Sequence, residues 1–261
     1  GRMLRGPNKQ IAALVRPNSL LLSVAAQNGH VALSQVYRYF SESLVTISEE
    51  RKVTREMKRK AVDDFGFRSD LSSALSAADM GVFAVEAKDV DRFQGMDVPG
   101  PLMSILKKEG LHKWPELRLL HTGLRDPVAF DVADESNGTK AFLTLIARTL
   151  SAISKAGTIC IDELDASLHS LLATSLVHRF LGRESNPKAA QLVFATHETN
   201  LLSNNLLRRD QIWFTEKDTN GVSHLYPLSD FNQQPNENLE AGYLQGRYGA
   251  IPFIDSNAFL A

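Results

Sequence analysis

Apolar runs that end abruptly in polar or charged residues set the rhythm of the chain's second half. Thr158–Ile161 and Gln191–Thr196 read as short buried strands. Leu143, Ile146, Ala147 and Leu150 recur at helical spacing and predict a helix over Thr139–Lys155, and Ser167–Leu181 reads as the helix between the two strands. Leu117–Thr122 and Val128–Phe130 are further short strands. Gln211–Glu216 and Ser223–Pro227 form a late pair joined by Asp218-Thr219-Asn220-Gly221, whose Asn-Gly step is a hairpin signal. Strands alternating with helices predict an α/β fold with a largely parallel sheet and a hairpin at its edge.

The first half is less regular. Ser19–Ala26 reads as a strand or the start of a helix, Val31–Phe40 as an amphipathic helix, Ser69–Asp79 as a helix and Val82–Ala87 as a strand. Between them Glu49–Lys60 is dense in charge, with Arg51, Lys52, Arg55, Lys58, Arg59 and Lys60 outnumbering the acids. A solvated helix face is the simpler account of that run, and contact with nucleic-acid phosphates or a partner is the alternative.

Chemistry concentrates where the strands stop. Thr158–Ile161 runs directly into Asp162-Glu163-Leu164-Asp165. Open α/β sheets bind ligands at the carboxyl ends of their strands. One acid there can hold Mg²⁺, usually through water, and its neighbour can polarise an attacking water. The alternative is an acidic turn that merely caps the next helix. Upstream, Ser136-Asn137-Gly138-Thr139 precedes the long helix; Ser136 is a natural cap, and the free N–H groups of a helix start favour an anion such as phosphate. Downstream, the strand Gln191–Thr196 is followed by His197, able to hydrogen-bond a terminal phosphate or water. Each is weak alone; their order along the chain is specific.

With those residues in place, the chain resembles the ATP-binding-cassette type of ATPase, in the branch shared by chromosome-maintenance (SMC-like) proteins and bacterial phage-defence or abortive-infection ATPases. The resemblance implies a P-loop NTPase-like core with a helical insertion, ATP and Mg²⁺ as ligands, and these roles. Ser136, Asn137, Gly138 and Thr139 match the signature loop, although Glu-Ser-Asn-Gly-Thr departs from the usual Leu-Ser-Gly-Gly-Gln. Asp162 matches the Walker B aspartate that serves the metal, Glu163 the catalytic glutamate, Leu164, Asp165, Ala166 and Ser167 the D-loop, and His197 the switch histidine. Leu207–Phe214 and the tail Gly242–Pro252 resemble the defence branch. It further implies segments 1–46 and 114–261 as ATPase core and 47–113 as the insertion. Two copies would associate head to tail as a homodimer or higher oligomer, sandwiching ATP and controlling an effector, a nuclease or toxin. An SMC-like DNA-repair ATPase that binds DNA, and a non-enzymatic scaffold, are the competing readings.

A phosphate-cradling G-x-x-x-x-G-K-[ST] sequence is not found in the chain. Gly1 and Gly6 have the glycine spacing, but Pro7 and Asn8 stand where Lys and Ser/Thr are needed. The expectation is that a preceding segment supplies that loop, or that the chain is a half-site protein. Within the tail, Gln245-Gly246-Arg247-Tyr248-Gly249 reads as a structural cap or a binding turn, and Arg208 and Arg209 as partners of acids or of another subunit.

The gross numbers add limits. At 261 residues the chain holds one large α/β domain or one domain plus an insertion. A net charge of −1 gives no global pull toward nucleic acid but leaves room for a local basic patch. The single cysteine, Cys160, reads as a small buried hydrophobe and permits no intrachain disulfide, which fits a reducing cytoplasm. No apolar run reaches the ~18–20 residues of a membrane span, and the expectation is a cytoplasmic protein without membrane contact.

Overall fold

A carboxylate-tipped strand at the centre of a small parallel sheet organises the fold. The computed structural model describes residues 6–47, 52–166, 168–203, 206–232 and 238–251, and the chain divides into two compact units, Gly1–Thr196 and His197–Ala261.

In the first unit three short helices, α1 (Asn8–Leu14), α2 (Leu21–Gln27) and α3 (Val31–Arg38), lead through a single π-type turn at Tyr39–Ser43 into β1 (Leu44–Ile47). Ser19–Ala26 therefore resolves as helix. The amphipathic face expected of α3 finds no core: it has no fully buried residue, and Val31 is 79% exposed. His30 instead anchors this segment, buried, with Nε2 3.0 Å from Asn8 Oδ1 and Nδ1 accepting from Leu33 N–H. Gly6 is explained there, since a Cβ would lie 2.6 Å from His30 Nε2. Gly6 makes room for a histidine, and Gly1, the other half of the glycine spacing, lies outside the described residues.

Helices α4 (Arg55–Asp63) and α5 (Phe65–Ala77) follow, then β2 (Val82–Asp91), α6 (Gly100–Lys108), β3 (Lys113–His121) and β4 (Val128–Asp131). Thr54 and Asp64 cap α4 and α5 by accepting from Met57 N–H and Phe67 N–H. The strands form an antiparallel sheet in the order β2-β3-β4. Every second residue of β3 from Pro115 to Leu119 is buried, the alternation of a sheet with one face on the core.

The chain then enters α7 (Asn137–Lys155), β5 (Thr158–Ile161), α8 (Ser170–Leu181) and β6 (Gln191–Phe194). Among the described residues parallel pairing is confined to β1-β5-β6, so the single, largely parallel sheet expected from sequence is divided, and β2-β3-β4 stands as a separate antiparallel sheet. The third parallel strand, β1, is four residues between polar neighbours, too short for periodicity to reveal. Helix α7 is buried well beyond its predicted stripe, including Ala141, Phe142, Leu145 and Thr144. Thr144 Oγ1 satisfies itself on the Lys140 carbonyl 2.9 Å away. Cys160 is not fully buried. Register places it between Thr46 and Val193 on the opposite face from Ile159, and Val193 on that face is 57% exposed.

The second unit contains β7 (Trp213–Lys217), β8 (Ser223–Pro227) and α9 (Leu239–Leu244). β7 and β8 are an antiparallel pair in their own sheet rather than an edge of the parallel one. Their connection spans Asp218–Val222: Asp218 Oδ1 accepts from both Asn220 and Val222 N–H, and Gly221 takes the positive φ of 81° that closes the turn. Tyr248 is 1% exposed and stacks with Phe214 at 5.7 Å, so the glycine-flanked tail is a structural cap. Arg208 forms a local two-point pair with Asp210, at 3.0 and 2.9 Å.

Candidate functional site

The turn after β5 is held by the strands on both sides. Asp162 N–H donates to the Ile47 carbonyl on β1, and Leu164 N–H to the Ala195 carbonyl beyond β6, both at 2.9 Å. Ala195 N–H returns to the Ile161 carbonyl. Leu164 is fully buried, while Asp162 and Glu163 on its N-terminal side are exposed. An apolar plug thus fixes the loop, and the two carboxylates face solvent at the carboxyl end of the central strand.

Glu163 takes a left-handed backbone conformation, φ 49°. For a residue with a Cβ this costs roughly 1–2 kcal/mol, and such outliers gather at functional sites. Asp165 Oδ1 accepts the Thr196 hydroxyl, joining the turn to the segment after β6. Thr196 is a contributor that sequence reasoning passed over: its separation from Asp165 by 31 positions leaves no local signal. Ser167, the last of the matched D-loop positions, lies outside the described residues.

The second cluster sits at the start of α7. Ser136 is the N-cap; its Oγ accepts from Thr139 N–H at 3.0 Å and lies 2.8 Å from Thr139 Oγ1. Ser136 and Asn137 are exposed, Gly138 is partly covered and Thr139 is buried. The helix start presents main-chain N–H groups of its first turn, with the positive end of a 19-residue helix behind them. Two contacts brace it. Lys140 Nζ donates to the Ala133 carbonyl at 2.6 Å, and His121 Nε2 lies 2.7 Å from Glu135 Oε1, whose side chain is only 7% exposed. This His–Glu pair ties the loop to β3 across 14 positions and was likewise invisible to sequence reasoning.

His197 opens the second unit, three positions after the last residue of β6, and is exposed. The carboxylates and the capped helix start thus belong to different ends of the first unit's elements, one at the C-terminus of β5 and one at the N-terminus of α7. Among the described residues no three His, Cys, Asp or Glu side chains gather as a metal cage. Nucleotide-bound Mg²⁺ needs no such cage, because one or two carboxylates complete a shell made mostly of phosphate and water; an exposed Asp162 fits that donor role.

The parallel strand trio with two exposed carboxylates at its central tip, beside a serine-capped long helix, is an α/β arrangement. Residues 35–203 match the family described as "AAA domain, putative AbiEii toxin, Type IV TA system", and the chain belongs to that family. The matched span contains Ser136–Thr139, Asp162, Glu163, Asp165 and His197. The protein is thereby an AAA-type ATPase of the abortive-infection kind, with the α/β fold of P-loop NTPases. No curated protein matches the chain. No helix among the described residues is long and apolar enough to cross a membrane.

Proposed function

We propose that the chain is the catalytic half of an ATP-hydrolysing subunit that works as a head-to-tail dimer or higher oligomer and controls an effector protein in phage defence. The observation that carries this reading is Glu163, a non-glycine residue held at positive φ beside Asp162 at the exposed tip of β5. Asp162 is the carboxylate that would serve Mg²⁺, which when bound neutralises phosphate charge. Glu163 accepts a proton from, or orients, the attacking water. His197 hydrogen-bonds the terminal phosphate or that water. Ser136 with its hydroxyl, and Asn137 and Gly138 with their main-chain N–H groups, face the phosphates of a nucleotide bound by the neighbouring copy, and Thr139, bonded to Ser136 Oγ, holds that cap in place. Asp165, accepting from the Thr196 hydroxyl, keeps the turn after β5 rigid next to the nucleotide.

The phosphate-cradling loop comes from another segment or chain. β6 is an edge strand of the parallel sheet among the described residues, which suits the addition of a further strand. The test is ATP turnover and intact mass of the protein purified from its natural source. Hydrolysis that falls at least ~100-fold in Glu163→Gln while nucleotide binding persists is the expected result. Absence of ATP binding by the natural full-length protein refutes the reading in favour of a scaffold.

A further inference from the structure

The charged run that precedes and forms α4 does not act as one face. Arg51 lies outside the described residues. Arg59 is neutralised by Asp89 at 2.8 Å, and Lys60 lies over the Phe67 ring at 4.3 Å with its Nζ 3.2 Å from Ser151 Oγ. Arg55 is different. Its guanidinium stacks 4.4 Å from the centroid of the Trp114 ring, and that of Arg92 lies 4.8 Å from the same centroid. Both arginines are exposed, and neither has a carboxylate within ion-pair distance among the described residues. Three other arginines are held by carboxylates instead: Arg59 by Asp89, Arg118 by Asp131 at 2.8 Å and Arg208 by Asp210 at 2.9 Å.

The surroundings add to this charge. Arg92 N–H donates to the His112 carbonyl, which brings the end of β2 against the start of β3, where Lys113 is exposed beside Trp114. Lys107 and Lys108 form the last turn of α6, which leads into the same junction. Acids adjoin the stack too: Glu56 follows Arg55 and is drawn to it electrostatically, while Asp91 spends Oδ1 on Phe93 N–H and stands opposite Lys113 across the strands. Stacking on indole fixes each guanidinium plane while leaving its in-plane N–H donors open. Two guanidiniums held on one ring without a carboxylate in ion-pair distance, with Lys113 next to that ring in sequence, match a chain of phosphates spaced along a backbone.

We propose that the Arg55–Trp114–Arg92 stack, with Lys107, Lys108 and Lys113, is a nucleic-acid backbone-binding surface separate from the carboxylates at β5. It does not depend on the ATPase assignment. The decisive measurement uses tryptophan emission. The chain has two tryptophans, so Trp213→Phe leaves Trp114 as the sole indole reporter. That protein is titrated with single-stranded DNA, single-stranded RNA and duplex DNA of about 20 nucleotides, and with poly-glutamate of equal charge; each nucleic acid neutralises several contacts at once. The expected result is a change in Trp114 emission with nucleic acid, with affinity falling steeply from about 50 to 200 mM salt. Arg55→Ala with Arg92→Ala should weaken binding at least tenfold and flatten the log–log salt slope by about 1.4 for single strands or about 1.8 for duplex. Arg55→Lys with Arg92→Lys, which keeps both charges, should recover most of the salt-sensitive binding. Undiminished binding by the alanine pair, equal loss in the lysine pair, or an identical response to poly-glutamate would each overturn the proposal.

Discussion

Two residues of the first unit share the same backbone conformation for different reasons, and substituting both by glycine separates strain from function. Ala156, exposed at the C-cap of α7, has φ 55° and ψ 35°; Glu163 has φ 49°. Left-handed backbone costs a residue with a Cβ roughly 1–2 kcal/mol, which glycine does not incur. Glycine's greater freedom in the unfolded chain returns about 0.5–1 kcal/mol of that gain. The net expectation is about 0.5–1 kcal/mol of added stability for Ala156→Gly, whose side chain is a single exposed methyl. Glu163→Gly should gain a similar amount and abolish hydrolysis, because only its carboxylate is proposed to act. For a unit of this size about 1 kcal/mol corresponds to ~2–4 °C in melting temperature. Urea unfolding at constant slope and scanning calorimetry would measure both. Were Ala156→Gly not stabilising, the strain argument itself would fail. If Ala156→Gly stabilised while Glu163→Gly cost more than ~0.5 kcal/mol, the conformation at Glu163 would serve packing rather than catalysis.

Other outcomes follow from the same structure. His121→Ala removes the partner of a nearly buried Glu135 carboxylate and should destabilise the first unit by about 1–3 kcal/mol, read by urea unfolding. Gly242→Ala places a Cβ 2.7 Å from Tyr248 Oη, so it should cost about 1–3 kcal/mol and alter the near-ultraviolet aromatic spectrum; an unchanged spectrum and stability would contradict the described packing. Burial, and then the hydrogen bond to Glu216, push the Tyr226 hydroxyl up to about 12. Because its folded value lies above the unfolded one near 10, its contribution is complete below pH 10 and is lost as pH rises toward 12. Phenolate absorbance should show a late step that Tyr226→Phe removes.

Local pattern alone determined the main elements of the site. An apolar run ending in Asp162-Glu163, a serine-capped start to a long helix and a strand followed by His197 are short-range features. Strand ends and caps are set by neighbours within a few positions, so those features survive in one dimension. The hairpin was legible for the same reason, though its turn spans five residues because Asp218 accepts from the N–H groups of Asn220 and of Val222 beyond Gly221.

Tertiary structure decided what depends on distant partners. β1 became a strand because β5 offers a parallel ladder from Leu44 to Ile47, not because four residues prefer it. The division into separate sheets followed from which strands pair, which periodicity does not encode. Tyr248 became a core residue through Phe214, and the Glu135 carboxylate acquired His121 from β3. Glu163's left-handed backbone arose because Asp162 and Leu164 are tied to opposite flanking strands, leaving the residue between them to absorb the turn. The charged run of α4 was visible as charge, but the fold chose which charges to neutralise: Asp89 took Arg59, and Trp114 took Arg55. Side-chain chemistry is written residue by residue, whereas its pairing belongs to the folded chain, where contacts long in sequence become short in space.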